Sequence, residues 1–255
     1  MTALPEAFLS LPLAHRALHD ATEGCPENSQ AAIAAAIDRG YGIEIDLQPS
    51  RDGVAMVFHD YRLDRLTAEQ GFVRDHDADA LSGIPLIGAN EGIPSLTEVL
   101  AMVDGQVPLL IELKDQHGQM GPSTGVLEEA TARALQDYLG PVAVMSFNPH
   151  MVDRLATCLP DIPRGLVTCG YSAKHWPNLN DETRARLREI PDYDRVGASF
   201  LSHAVRDLTH PRVIELKDQG AVILCWTVRS PSEEAQAREI AANITFEHYL
   251  PPLDA

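Results

Sequence analysis

The sequence predicts an α/β fold with a mainly parallel sheet, and three observations support this prediction. Short apolar runs alternate with helical patterns from one end of the chain to the other, which is typical of a parallel sheet covered by helices. A chain of 255 residues with 45% hydrophobic content can bury a large core, which suits one large α/β barrel or two small domains. We find no linker, repeat or low-complexity run, so one domain over residues 1–255 is the prediction.

Nine segments have the composition of strands, whereas an eight-stranded barrel needs eight. We expect Val196–Leu201 to be the surplus segment, lying outside the barrel or irregular. Only residues 49–53 join the second and third segments, which is too few for a crossover helix. The link is therefore either extended, which gives an irregular second βα unit, or it makes a hairpin. The nine segments are Leu13–Leu18, Ile43–Gln48, Val54–His59, Val107–Lys114, Val142–Phe147, Arg164–Thr168, Val196–Leu201, Val222–Val228 and Asn243–Glu247.

Helical patterns lie between the strands, and the first is the best marked. Asn28 is placed as its N-cap, residues 31–37 are strong helix formers, and Gly40 stands where a C′ glycine belongs. Six further helices are predicted at Ser95–Val103, Thr124–Tyr138, Pro149–Cys158, Asp181–Ile190, Pro211–Gln219 and Ser232–Ala241.

The hexapeptide Ile-Glu-Leu-Lys-Asp-Gln occurs twice and serves as an internal control. At residues 111–116 it continues an apolar run and predicts a buried strand, with Glu112 and Lys114 on one face. At residues 214–219 it follows a proline and ends before Gly220, which are helix start and stop signals. The hexapeptide alone therefore indicates no function. Only the copy that is predicted to lie in a strand points to a functional site.

Two acids stand two residues apart inside the apolar run of residues 42–48. Side chains at such positions of a strand point to the same face, so Glu44 and Asp46 lie side by side. Paired carboxylates repel unless they face water or a cation. The stretch is thus either half of a divalent-metal site or an edge strand with its acids in solvent.

Polar residues also end several other predicted strands, and the carboxyl ends of parallel barrel strands share one mouth. Three carboxylates, two histidines and two cations there have the composition of a phosphate-processing metal site. Oxygen ligands favour one Mg²⁺ or Ca²⁺ ion, because no Cys or His cluster has the spacing of zinc ligands. These seven residues are His15, Arg16, Glu44, Asp46, His59, Glu112 and Lys114, and a further acid, Asp60, follows His59.

The net charge of −17 argues against nucleic acid and anionic membranes as partners, because such partners need a basic surface. The first residues lack the features of a signal peptide, and no run approaches the length of a membrane span. We therefore expect a cytoplasmic protein with a small-molecule substrate and no stable membrane association; the sequence says nothing about its oligomeric state.

An ordered series of motifs along nearly the whole chain resembles the glycerophosphodiester phosphodiesterase family. The resemblance implies a TIM (β/α)8 barrel, a divalent metal, and hydrolysis of glycerophosphodiesters to glycerol 3-phosphate and an alcohol. The motifs are His15-Arg16, Pro26-Glu27-Asn28, Glu44-x-Asp46, Asp52-Gly53, His59-Asp60, Leu63-x-Arg65, Ile93 to Leu100, Glu112-x-Lys114, Ser146-Phe147 and Trp226-Thr227-Val228.

The resemblance also implies a role for each matching residue. Glu44, Asp46 and Glu112 resemble the metal ligands, and His15 and His59 resemble the acid–base pair. Arg16 and Lys114 correspond to phosphate contacts, and Trp226 to an apolar wall against the glycerol. We expect Asp60 to support the site from outside by orienting His59. Glu27 is placed in the same outer layer. Its structural alternatives are an ion pair with Arg16 or an acid in the first turn of the helix, where it would interact favourably with the helix dipole.

Three features depart from the family pattern. Ala17 replaces the usual glycine of His-Arg-Gly, where a glycine permits close backbone approach or special dihedral angles. The last strand leads into Phe246-Glu247-His248 rather than the usual Thr-Asp-x-Pro ending. The inserted lobe, at about residues 60–92, is short, which hints at a small or polar leaving group.

Other functions remain open at this stage. One is a related phosphodiesterase acting on lysophospholipids, which would need a longer apolar groove. Another is a barrel that binds phosphodiesters without turning them over. A third is a metal-dependent aldolase or isomerase, since the fold does not fix the chemistry, and Lys114 is its only candidate base.

Overall fold

The computed structural model describes residues 2–253, and its eight parallel strands close into a barrel. The closed order is β1-β9-β8-β7-β6-β5-β4-β2, and β2 pairs back to β1. This is the predicted TIM barrel, with helices between the strands. The strands are β1 (Leu13–Ala14), β2 (Gly42–Pro49), β3 (Ala55–Val57), β4 (Leu109–Leu113), β5 (Val142–Ser146), β6 (Arg164–Thr168), β7 (Phe200–Ala204), β8 (Val222–Val228) and β9 (Asn243–Phe246).

The strand outside the barrel is β3, not the segment Val196–Leu201. β3 runs antiparallel to β2, so the second βα unit is irregular because it contains a hairpin. The turn is closed by the bond from the Ser50 amide to the Val54 carbonyl, 2.9 Å long. Such a short link can join only antiparallel strands. The sixth barrel strand, β7, begins at Phe200, since residues 192–198 form hydrogen-bonded turns before it.

The first strand is shorter than the predicted Leu13–Leu18, because β1 ends at Ala14. Arg16 and Ala17 then adopt positive φ angles of 55° and 64°. The special dihedral expected at the position of the missing glycine is therefore present, and Ala17 adopts it. This turn places His15 and Arg16 at the barrel mouth immediately after the strand.

Nine α-helices lie within residues 2–253, and all seven predicted helices are among them, mostly with shorter ends. The N-cap prediction for the first of these was wrong: Ser29 caps α2 and accepts a hydrogen bond from the Ala32 amide. Asn28 has a φ of 59°, which a capping residue does not adopt. The helices are α1 (Ala7–Ser10), α2 (Gln30–Asp38), α3 (Ala78–Ser82), α4 (Leu96–Val103), α5 (Val126–Leu135), α6 (Pro149–Cys158), α7 (Asp181–Arg188), α8 (Pro211–Asp218) and α9 (Pro231–Ala237).

Apolar side chains form two layers around the sheet. A large cluster lies between the strands and the helices, and it includes Ile43, Ile45 and Leu47 of β2. A smaller cluster fills the barrel interior below the mouth, with Phe200 among its buried residues. The outward isoleucines and inward acids of β2 thus have the alternation that the sequence predicts.

The repeated hexapeptide has the two structures expected of it. Residues 111–113 belong to β4, whereas residues 214–218 belong to α8. The neighbouring residues therefore decide the conformation of this hexapeptide, as the control predicted.

A small lobe follows β3 and has its own apolar cluster, which includes Phe58, Leu63, Val73 and Leu81. It contains α3 and two 3-10 turns, at residues 63–65 and 73–75. The lobe lies beside the mouth, because its Tyr61 lines the central cavity. The treatment of residues 1–255 as one domain stays a prediction. Within residues 2–253, no helix is long and apolar enough to cross a lipid bilayer.

Candidate active site

Three buried carboxylates meet where β2 and β4 end at the barrel mouth. Glu44, Asp46 and Glu112 are 2%, 1% and 6% exposed, and Asp46 pairs in register with Glu112. One oxygen of each lies within 4.8 Å of the others. Three oxygen ligands at this spacing suit a hard divalent cation.

Charge balance around this cluster also fits a cation. Burial raises the pKa of Glu44 well above its usual value, and the nearby Asp46 and Glu112 raise it further. Burial, with Asp46 as a further cause, raises the pKa of Glu112 despite the opposing effect of Lys114. Carboxylates that would otherwise keep protons can ionise when they share a divalent ion.

Lys114 bridges two of the three carboxylates. Its Nζ lies 2.7 Å from Asp46 Oδ1 and 2.7 Å from Glu112 Oε1. Burial opposes ionisation of Asp46, but Lys114, His59 and Arg16 outweigh it and hold the Asp46 pKa well below its ordinary value. The ammonium group is therefore at the acidic cluster and also lines the cavity.

Arg16 contacts the cluster from the other side. Its backbone amide donates to Glu44 Oε2 over 3.0 Å, and its Nη1 donates to Glu27 Oε1 over 2.8 Å. Its Nε lies 3.6 Å from Asp46 Oδ2, and this buried atom makes no hydrogen bond within residues 2–253. The guanidinium is thus fixed by Glu27 and held beside the acidic cluster.

His15 is held by a carboxylate that the sequence prediction did not include. Its Nδ1 lies 2.7 Å from Glu247 Oε2, and Glu247 also accepts from Arg229 Nε over 2.7 Å. Burial opposes ionisation of Glu247, but the hydrogen bonds from His15 and His19 outweigh it and lower the pKa. An ionised carboxylate only accepts, so His15 is protonated on Nδ1 and leaves Nε2 free.

His59 has an equivalent hydrogen-bond partner in Asp60. Nδ1 of His59 lies 2.7 Å from Asp60 Oδ1, and Asp60 Oδ2 accepts from Arg65 Nε over 2.7 Å. Arg65 also donates to both oxygens of Glu27. Asp60 and Glu27 are therefore joined through Arg65, and Glu27 extends the chain of contacts to Arg16.

Asn28 supports the acidic cluster instead of capping a helix. Its Nδ2 donates to Asp46 Oδ2 over 2.9 Å, and its Oδ1 accepts from the Asp46 amide over 3.3 Å. These two bonds fix the orientation of the Asp46 carboxylate. The left-handed backbone of Asn28 is one that asparagine adopts more readily than most residues.

A cavity of about 1070 Å³ opens over this cluster. Its far side is aromatic: Trp226 lies edge-on to Phe147, with ring centroids 5.6 Å apart, and Phe147 also packs against Trp176 and Tyr171. Trp226 Nε1 donates to the Ser202 carbonyl over 3.2 Å. The tryptophan is thus fixed in place with its ring on an apolar wall.

The structure brings all ten predicted site residues to one region. Eight of them line the cavity: His15, Arg16, Glu44, His59, Asp60, Glu112, Lys114 and Trp226. Of the other two, Asp46 touches Lys114 and Arg16, and Glu27 touches Arg16 and Arg65.

Glu247 and Arg65 are the main residues missing from the predicted set. Glu247 ended the last predicted strand, so the rule of polar residues at strand ends could have identified it. Arg65 stood in a quoted motif, but nothing in the sequence pointed to Glu27 as its partner.

The fold and the site define a (β/α)8-barrel enzyme with an acidic cluster suited to a cation, two supported histidines and two cationic side chains. The sequence profile of the glycerophosphoryl diester phosphodiesterase family matches residues 15–245. The chain therefore belongs to that family, and it is an enzyme of the glycerophosphodiester phosphodiesterase class.

Relatives and solved structures agree with this assignment. A glycerophosphodiester phosphodiesterase of Bacillus subtilis is 27% identical over 228 residues, covering 81% of this chain and 73% of its own. One from Caldanaerobacter subterraneus is 31% identical over 172 residues, covering 63% and 68%. An Oleispira antarctica phosphodiesterase, solved with sn-glycerol-3-phosphate, superposes with a TM-score of 0.76 at 22% identity over 94% of both chains; this likeness shows the fold.

Proposed function

We propose that this enzyme hydrolyses glycerophosphodiesters to glycerol 3-phosphate and an alcohol, with one divalent cation, Mg²⁺ or Ca²⁺, and histidine acid–base catalysis. The single observation that carries the proposal is the meeting of the Glu44, Asp46 and Glu112 carboxylates with two histidines, each oriented by its own acid. The product seen with the Oleispira antarctica phosphodiesterase supports the same substrate class.

Glu44, Asp46 and Glu112 would hold the cation. When bound, such an ion polarises a phosphoryl oxygen and lowers the pKa of an attacking oxygen. Arg16 lines the cavity and offers its guanidinium charge to the phosphate, and Lys114 supplies a second positive charge at the same place. The negative charge that develops on the phosphate is thus met by this chain's own cations.

His15 and His59 would move the protons. Burial lowers the pKa of His15 to about 4 despite the bond to Glu247, so its Nε2 is unprotonated at neutral pH and suits the role of base. Nε2 of His59 is likewise turned away from Asp60, which suits an acid that protonates the leaving oxygen. Trp226 would pack against the carbon face of the glycerol.

The test is release of glycerol 3-phosphate from a panel of glycerophosphodiesters and one lysophospholipid, with chelator and with added Mg²⁺ or Ca²⁺. We expect turnover that chelator abolishes and that one of the two ions restores. Turnover of the lysophospholipid alone would favour the lysophospholipase D alternative. Binding without any turnover would favour a non-catalytic barrel.

Histidine variants test the acid–base assignment. We expect His15→Asn and His59→Asn each to lower kcat by roughly 10²–10⁴-fold, the usual contribution of such a group. His150 is exposed on α6, away from the cavity lining, so His150→Asn is the matched control and should keep full activity. Loss of less than about tenfold in both site variants would contradict the assignment.

A further inference from the structure

A second cavity of about 450 Å³ lies beside the central one. Tyr61 of the lobe lines both cavities, so the two are neighbours. Gln48, two residues after Asp46 on β2, also lines the smaller cavity. Tyr61 therefore borders both this side pocket and the cavity over the acidic cluster.

The chemistry of the side pocket is polar but not acidic. Four amide side chains line it, from Gln48, Gln116, Gln119 and Asn178, and none of its lining residues is Asp or Glu. Amides both donate and accept hydrogen bonds, which is what a set of hydroxyl groups requires.

Two of the amides are fixed by the active site itself. Gln48 is 2% exposed and donates from Nε2 to the His59 carbonyl over 3.1 Å. Gln116 donates from Nε2 to the Lys114 carbonyl over 2.6 Å and to Gln48 Oε1 over 3.3 Å. The inner wall of the pocket is thus tied to residues beside the cluster, whereas Gln119 and Asn178 are exposed at its rim.

The remaining surface combines an aromatic platform with a positive charge. The Arg74 guanidinium lies 5.2 Å from the centroid of the Phe72 ring, and both residues line the pocket. A guanidinium next to the ligand repels an ammonium group. Recognition of quaternary ammonium groups uses aromatic cages without such a cation, so choline does not suit this pocket.

The two cavities share Tyr61 but otherwise have different lining residues. The aromatic wall is built on β5, β6 and β8 and the segments after them, whereas the side pocket is built on the lobe, the end of β2, the loop after β4 and, through Asn178, the far part of the segment after β6. A phosphodiester has two substituents that leave phosphorus in different directions. One can pack on the wall while the other extends past Tyr61.

We propose that the side pocket is the leaving-group subsite and that it selects an uncharged polyhydroxylated alcohol, such as glycerol or a cyclitol. This inference rests on the proposed function, because it assigns the alcohol half of the same substrate. Hydroxyl groups would bond to the amides, and the carbon face of a ring would stack on Tyr61 or Phe72.

The experiment compares kcat/KM for four diesters of glycerol 3-phosphate, with methanol, glycerol, inositol and choline as the alcohol. We expect the glycerol and inositol diesters to be turned over at least about tenfold more efficiently than the methyl and choline diesters, as one or two added hydrogen bonds would give. The methyl diester cannot reach the pocket and so reports the chemistry alone.

Variants of the two rim residues test whether the side pocket causes the preference for polyol diesters. Gln119→Ala and Asn178→Ala should each lower kcat/KM for the glycerol and inositol diesters about threefold to tenfold and leave the methyl diester unchanged. Gln136 is exposed at the end of α5, outside the lining of either cavity, so Gln136→Ala is the matched control. It should change none of the four values.

Two results would overturn the subsite in different ways. Turnover of the methyl diester with no preference for polyols, or a preference that the rim variants leave intact, would overturn the subsite and leave the proposed function standing. No turnover of any of the four diesters with either metal ion would overturn the proposed function and the subsite with it.

Discussion

Glu247 shows how one side chain can set the state of a catalytic group. It contacts His15 and is itself held by Arg229. The carboxylate fixes the Nδ1 proton of His15, and with it the nitrogen that faces the cavity. The burial of His15 would favour a neutral ring in either tautomer, so the carboxylate supplies the orientation that burial cannot.

We predict that Glu247→Gln lowers kcat by roughly 10–100-fold, because an amide can support the wrong tautomer and the supporting partners of such groups have effects of this size. KM should change little, since Glu247 is not expected to touch substrate. The measurement is a pH profile of kcat and kcat/KM for the variant and the original enzyme.

Glu239→Gln is the control for this change, because Glu239 is exposed and lies outside the cavity lining. It should behave as the original enzyme. A Glu247→Gln enzyme with unchanged kcat across the pH range would show that His15 does not need this carboxylate.

At the scale of single elements, two adjacent polar residues before α2 have different functions. Ser29 caps the helix, while Asn28 turns its side chain to Asp46. Both residues have strong N-cap preferences, so their order in the sequence did not decide between them. The left-handed turn at Asn28 decides it, by rotating its side chain away from the helix.

We predict opposite phenotypes for the two residues. Ser29→Ala should lower the free energy of unfolding by about 1 kcal/mol, the usual value of a cap, and leave activity intact. Asn28→Ala should weaken binding of the activating cation roughly 10–100-fold, because Asp46 loses its orienting partner. Denaturant unfolding and metal titrations of activity measure the two effects.

A result with the phenotypes exchanged, in which Ser29→Ala weakens the response to metal and Asn28→Ala lowers only stability, would contradict this division.

The hairpin between β2 and β3 is an element that sequence patterns left open. Both an extended link and a hairpin were compatible with residues 49–53. The structure selects the hairpin, because β3 can then pair with the free outer part of β2. With β3 outside the barrel, Phe200–Ala204 is needed as the sixth of its eight strands, so the hairpin corrects two assignments.

For the whole molecule, buried histidines couple folding to pH. His203 is 2% exposed on β7, and its Nδ1 lies 2.7 Å from the Thr168 hydroxyl. Burial lowers its pKa from 6.5 to about 4, although Asp207 opposes the shift. The unfolded chain therefore binds more protons between these two values, so stability is lost as the pH falls below 6.5.

We predict that His203→Phe reduces the loss of stability between pH 7 and pH 5 by roughly 2 kcal/mol, which follows from a shift of this size. His15 has a similarly lowered pKa and should account for part of the remaining slope. The measurement is urea unfolding at pH 5, 6 and 7, and the comparison concerns the slope rather than the stability at any one pH.

Thr168→Val serves as the companion variant, because it removes the hydrogen bond to His203 and keeps the imidazole. It should retain the pH dependence. If His203→Phe keeps the full slope as well, the titration responsible for the slope lies elsewhere in the chain.

The sequence by itself determined the fold class and most of the elements, because these follow from local patterns, and together with the family resemblance it proposed the ten site residues. Alternation of acids and isoleucines in β2 fixes which face carries the carboxylates. The parallel barrel then brings the strand ends to one mouth. The face that carries the carboxylates and the convergence of the strand ends can both be predicted from spacing along the chain and from the rule that parallel strands end on the same side.

Tertiary structure decided what spacing cannot express, namely which residue contacts which. The contact of Glu247 with His15 spans the closure of the barrel between β9 and β1, and that of Arg65 with Glu27 joins the lobe to the start of α2. Whether Asn28 caps a helix or holds Asp46 depends on a single backbone rotation. These contacts depend on packing between elements that are distant in sequence, so they can be identified only in the folded structure.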